Sequence, residues 1–110
     1  MITVARCRKE AQGVYIGNAF RKYGYDLDAS PLGNPYRLKN SKDAVERQQV
    51  IANYRHWLLK QLESDNPQSK EIERLKALYD EGQDLTLLCW CSPLPCHGDV
   101  IKEILMEATK

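Results

Sequence analysis

The sequence predicts an α/β fold: a single three-layer domain with a short, mainly parallel sheet flanked by helices. Three observations carry this. Leu85-Thr86-Leu87-Leu88-Cys89-Trp90 is an almost unbroken apolar run. A short run of that kind, bounded by turn residues, reads as a strand buried on both faces, which occurs mainly in parallel sheets covered by helices. Two amphipathic helical patterns precede it. The unit after it reads strand, short loop, helix, the arrangement of open α/β sheets.

The elements follow in order. Ile2 to Cys7 reads as a first strand, and Gln12-Gly13 as a turn. Val14-Tyr15-Ile16-Gly17 is a second strand, β-branched and aromatic, stopped by glycine. Residues 18 to 40 show little periodicity and hold Gly24, Pro31, Gly33, Asn34 and Pro35. A connection this long inside one domain is more often functional than decorative. Ser41 is the expected N-cap of a helix, with Asp43 and Glu46 where the helix dipole favours acids. Val50, Ile51, Tyr54, Trp57, Leu58 and Leu62 then form its apolar face. Asp65-Asn66-Pro67 breaks that helix. A second helix is expected over 68–81, with Ile72, Leu75, Leu78 and Tyr79 inward and Gly82 as its stop. After the apolar strand, Ser92-Pro93-Leu94-Pro95 is a stiff loop. A last helix starts near His97-Gly98-Asp99 and buries Val100, Ile101, Ile104 and Leu105. Trp90 alternates away from Cys89 and Cys91 and is expected in the core.

The chain has 110 residues, which fits one domain. Its formal net charge of +1 gives no global field demanding nucleic acid. No stretch is apolar and long enough to span a bilayer, so no membrane partner is expected. The N-terminus enters a strand pattern directly, without the basic region and apolar core of a signal peptide. A cytoplasmic location is the expectation, and thiols there stay reduced. The four cysteines therefore read as metal ligands, reactive thiols or buried small hydrophobes before disulfides.

Chemistry concentrates in Cys89-Trp90-Cys91-Ser92-Pro93-Leu94-Pro95-Cys96-His97-Gly98-Asp99. Ligands of open α/β sheets bind beyond the carboxyl ends of strands, and this segment lies at such an end. If the second strand neighbours the apolar one, Gly17-Asn18 faces the same crevice and the 18–40 loop drapes over it. Three readings of the cysteines stand side by side. In the first, Cys96 sits at a helix N-terminus whose N–H groups and dipole lower its pKa. It is then the nucleophile, redox thiol or anion contact, with His97, or His56 if it folds nearby, as acid or base. In the second, Cys89, Cys91 and Cys96 ligate zinc, with Cys7 as an outside candidate. The adjacency of Cys96 and His97 argues against both reaching one ion. In the third, the cysteines only pack and His97 caps a helix.

The remaining candidates have plainer alternatives. Ser30-Pro31-Leu32-Gly33-Asn34-Pro35-Tyr36 is either a ligand-approaching loop or an ordinary double turn. It is not a P-loop, because the lysine and the Ser/Thr are absent. Arg21, Lys22, Arg37 and Lys39 alternate with Tyr23, Tyr25 and Tyr36, a mixture that suits phosphates and stacked bases, although composition alone favours a solvated loop. Arg47 is either a charge pointing back to the crevice or a surface residue. Tyr54 and Trp57 belong to the core face of their helix.

Val14-Tyr15-Ile16-Gly17, Ser30 to Pro35, Arg47 with Tyr54 and Trp57, and Cys89-Trp90-Cys91 with Cys96-His97-Gly98-Asp99 together resemble domain of unknown function 4326 (DUF4326), a family of small bacterial and phage proteins. The resemblance covers nearly the whole chain and is most specific in the CWC…PxxCHGD ending. Asn18 departs from it, since the family usually carries arginine there; an anion-binding role of that arginine would pass to Arg21. The ending is also distantly similar to DUF488, whose members carry an apolar strand, a cysteine and a Cys-His-Arg helix start; Gly98 replaces that arginine here. That family has been suspected of nucleic-acid-related roles. The resemblance implies an α/β fold and a pocket built by the motif residues, with no established activity.

The leading expectation is a pocket that binds or acts on a nucleotide or nucleic-acid-related ligand. Cys96 and His97 would be the chemical groups. Gly17, Asn18, Gly33, Asn34, Arg47, Gly98 and Asp99 would be ligand contacts. The alternative is a zinc-stabilised, non-catalytic binding module held by Cys89, Cys91 and Cys96.

Overall fold

Leu85–Cys89 becomes a central strand because neither of its faces is left to water. The computed structural model describes residues 1–8, 12–36, 38–40, 42–90 and 94–107. Its elements are β1 (Ile2–Arg6), β2 (Val14–Tyr15), α1 (Ala44–Gln61), α2 (Pro67–Asp80), β3 (Leu85–Cys89) and α3 (His97–Glu107). The sheet order is β1-β3-β2 and both pairings are parallel. Ile2 to Arg6 run beside Leu85 to Cys89, while Val14 and Tyr15 run beside Leu87 and Leu88. This is the α/β domain with a short parallel sheet that the apolar run implied. The second strand is shorter than Val14–Gly17, although the Ile16 N–H still donates to the Leu88 carbonyl at 3.1 Å.

In parallel neighbours, paired residues point to the same face. Val4, Val14 and Leu87 thus share one face with Ile2, Leu85, Cys89 and Ile16. Val100, Ile101 and Leu105 of α3 join that cluster, as do Tyr54 and Leu58 of α1 and Ile72 and Leu75 of α2. Full burial of each such leucine or isoleucine side chain is worth about 1.5–3 kcal/mol. α3 packs on β1 and β3, and α1 and α2 pack against α3 and against each other. Gly98 allows that docking to be close. A Cβ there would lie 2.9 Å from both Ile16 Cδ1 and Val4 Cγ1.

Ala5, Leu88 and Tyr15 point to the other face. The chain entering β2 crosses it at Gly13, where a Cβ would sit 2.5 Å from the Thr86 carbonyl oxygen. Only glycine permits that approach. Gln12-Gly13 is therefore a close crossing over β3 rather than merely a turn.

The helix ends follow local chemistry. Ser41, the expected N-cap of α1, lies outside the described residues, and Asp43 fills the role two positions later. Its carboxylate accepts from the Val45 and Glu46 N–H groups at 3.0 and 3.1 Å. The Glu46 carboxylate reaches back to the backbone N–H groups of Lys39 and Asn40, fastening the long loop to the start of α1. Asn66 caps α2 through a reciprocal bond pair with Ser69, and Pro67 sits where its missing N–H costs nothing. Gly82, at φ +89°, closes α2. Its N–H donates to Tyr79 and that of Gln83 to Leu78, at 3.0 and 3.2 Å, the six-residue closure that a left-handed glycine makes. No described helix is long and apolar enough to cross a membrane.

Candidate functional site

The carboxyl ends of β2 and β3 and the N-terminus of α3 frame a cleft of about 360 Å3. The first half of α1 and the loop after β2 complete its walls. Asn18, Asn34, Arg47, Cys96 and His97 bring polar groups to it. Tyr15, Phe20, Tyr36 and Trp90 bring rings, and Val50, Ile51 and Leu38 aliphatic surface. Because β2 is next to β3, the Gly17-Asn18 segment lies against the motif at the start of α3.

Cys96 acts as the cap of α3. Its Sγ accepts from the Gly98 N–H at 3.3 Å, and its own N–H donates to Asp99 Oδ2 at 3.0 Å. Cys96 and Asp99 thus cap the helix reciprocally, the sulfur accepting from the second helical N–H and the Asp99 carboxylate from the Cys96 N–H. The Gly98 N–H expected to hold an anion is thus already occupied, and Gly98 packs on the sheet outside the cleft lining. Asp99 is also outside the lining and serves the cap. The thiol is 3% exposed, with Cys89 Sγ at 3.0 Å. That neighbour and burial both push the Cys96 thiol above its ordinary range, and the Gly98 N–H opposes them only in part. The lowered pKa expected from the helix dipole is therefore reversed, because a thiolate beside a second sulfur in a dry site loses more than the helix end returns.

His97 is the better-placed polar group. Its Nε2 lies 2.7 Å from the Ile16 carbonyl oxygen. A carbonyl only accepts, so Nε2 carries the proton. The Tyr54 ring meets the imidazole edge to face at 5.0 Å. Burial lowers the His97 pKa, and the bond to Ile16 and the nearby Asp99 offset this only partly. The ring is neutral near pH 7, its tautomer is set, and Nδ1 is an acceptor. Nδ1 has no hydrogen-bond partner among the described residues. The His97 ring lines the cleft.

The opposite wall is aromatic. Trp90 Nε1 donates to the Tyr15 hydroxyl at 2.8 Å, and that hydroxyl donates to the Asn18 carbonyl at 2.6 Å. Phe20 and Tyr25 pack on the indole at ring separations of 4.8 and 5.2 Å. Trp90 is accordingly half-buried in a separate aromatic cluster rather than in the main core. The Gly17 backbone lies under Tyr15; a Cβ there would be 2.4 Å from the hydroxyl oxygen. The Ser30–Gly33 segment is a tight turn, closed by Gly33 N–H donating to Ser30 at 2.9 Å. Gly33 backs onto Asn18, whose Oδ1 would stand 2.5 Å from an added Cβ. It supports the wall without lining it, while Asn34 lines it and its carbonyl accepts from Asn18 Nδ2 at 3.1 Å. The Tyr54 hydroxyl donates to the Leu32 carbonyl at 2.7 Å, pinning this turn to α1.

Arg47 is 7% exposed, lines the cleft and donates through Nη1 to the Pro95 carbonyl at 3.1 Å. Arg21 is turned to other work: it pairs with Asp26 and Asp28 in the loop. It is not part of the cleft lining. His56 is exposed and away from the cleft lining. Cys89 lies behind Cys96 in the core, and Cys7 is buried on the other sheet face. Cys91 and Arg37 lie outside the described residues. Among the described residues no group of three or more His, Cys, Asp or Glu side chains is arranged to hold a metal ion.

Residue-level reading missed the ring wall. Strand alternation was its available signal: Tyr15 and Trp90 fall on the face opposite Val14 and Cys89, where the unpatterned loop with Phe20 and Tyr25 must cover them.

A family model described as domain of unknown function (DUF4326) matches residues 3–107. No curated protein and no solved structure matches the chain.

Proposed function

The chain belongs to the DUF4326 family, whose description assigns no activity, and from the cleft we propose that it binds a small ligand of the nucleoside or nucleotide class. The observation that carries this reading is one cleft combining a ring wall with His97 Nδ1 as an acceptor and Arg47 as a cation. Its volume of about 360 Å3 falls in the range of roughly 300–1,000 Å3 usual for small-molecule sites. A nucleobase supplies a flat apolar face for Tyr15, Phe20, Tyr36 or Trp90 and an N–H for Nδ1. Arg47 favours a phosphate over a neutral tail. Cys96 is a wall residue in this arrangement and His97 the proton-accepting group.

Calorimetric titration with nucleosides and mononucleotides tests the reading. One saturable site is expected, with nucleotides tighter than the matching nucleosides. His97→Gln and Trp90→Ala should each weaken it about tenfold or more, the scale of losing one well-made polar or stacking contact, with the circular dichroism unchanged. Cys96→Ser keeps a capping oxygen, so the fold should survive while binding weakens. No heat and no thermal shift with any nucleoside or nucleotide at millimolar concentration would discard the proposal.

A further inference from the structure

Two sulfurs meet where the cleft touches the core. Cys89 ends β3, Cys96 caps α3, and their Sγ atoms are 3.0 Å apart although they stand seven positions apart in sequence. Both are reduced in this structure, at 1% and 3% exposure. Cys96 lines the cleft and Cys89 does not. Among the described residues, one thiol of the pair thus faces the cleft and the other stands behind it.

We propose that Cys89 and Cys96 are a dithiol–disulfide couple in the cleft wall, oxidised by exchange with a small-molecule disulfide such as oxidised glutathione. The Cys96 thiolate attacks one sulfur of that disulfide, forming a mixed disulfide and releasing one small thiolate. The Cys89 thiolate then attacks Cys96 Sγ, displacing the second. Two protein thiols and one small disulfide become one protein disulfide and two small thiols, and the two protein protons end on the released thiolates. Burial keeps the Cys96 thiol largely protonated, so the first step is slow. The second is fast, because the partner is already in place. The product bridges the segment that carries Trp90 and Pro95, both in the cleft wall. The couple thereby ties the shape of the proposed ligand site to redox state. It stands on the sulfur geometry alone, and its test needs no ligand.

The test incubates the protein in oxidised glutathione, quenches with an alkylating reagent and measures mass. The expected product is 2 Da lighter than the reduced chain, with two fewer thiols alkylated after denaturation and no retained glutathione. Cleavage after Trp90 separates Cys89 from Cys96, so the fragments should stay joined until a reductant is added. They should stay joined in Cys91→Ser as well and separate in Cys89→Ser. The oxidised protein should melt at higher temperature, since the bridge restricts the unfolded chain. Four alkylatable thiols throughout, a stable glutathione adduct on Cys96, or joining that vanishes in Cys91→Ser would each overturn the assignment.

Discussion

The two faces of β3 are covered by different materials. Toward the helices, Leu85, Leu87 and Cys89 meet aliphatic side chains from α1, α2 and α3 in one continuous cluster. Toward the loop, Trp90 meets Tyr15, Phe20 and Tyr25, held by ring contacts and by the Trp90–Tyr15–Asn18 hydrogen-bond chain, while Leu88 lies beside Tyr15 and against the Gly13 crossing. The first face is dry and close-packed, and it holds the fold. The second keeps polar atoms among its rings and opens at one end into the cleft. The packed core and the ring wall of the cleft are thus divided across a single strand.

Adjacent leucines test that division most sharply. Leu87→Ala should cost toward the upper end of about 2–5 kcal/mol, the range for emptying a rigid aliphatic site. Leu88→Ala should cost toward the lower end, because Leu88 lies outside the helix-packed aliphatic cluster and is covered by the Gly13 crossing. Chemical denaturation of both variants decides; equal losses would erase the distinction between the faces. Gly13→Ala probes the crossing over the loop side. Its Cβ has backbone oxygen 2.5 Å away, so a loss of about 1–3 kcal/mol is expected from forced displacement, read from the same denaturation curves. A neutral result would mean the crossing is looser than the contact implies.

Tyr15→Phe removes the hydroxyl joining Trp90 to Asn18. Roughly 1 kcal/mol should be lost, with a shift in tryptophan emission that Tyr54→Phe does not reproduce. The smallest effect is in pH. His97 has a lowered folded pKa, so the unfolded chain binds the proton more readily, and stability rises with pH wherever the two states differ. The contribution is complete above the unfolded value near 6.5 and is lost as pH falls toward the lower folded value. His97→Gln should flatten the acid limb of a stability–pH profile over that window. An unchanged limb would assign the acid sensitivity to other groups.

Legibility in the sequence tracked the range of the forces involved. The apolar run of β3, the spacing of Tyr54 and Leu58, and the Asn66-Pro67 and Gly82 boundaries are local signals, and the structure follows them. Gly98 and Asp99 read as ligand contacts in sequence because their neighbours are chemical. Gly98 instead lets α3 approach Val4 and Ile16, and Asp99 closes the cap on Cys96. Arg21 read as an available cation, and Asp26 and Asp28 take it. Such roles depend on which surfaces meet, and residue type alone does not carry that information.

By itself the sequence determined the α/β class and the order of its elements, because periodicity and end-capping act within a few residues. Only the tertiary structure decided that β3 lies between β1 and β2, that Ile16 sets the His97 tautomer, and that Cys89 stands against Cys96. Those facts join residues up to eighty-three positions apart, and no local preference records which distant partner will remove a group from water.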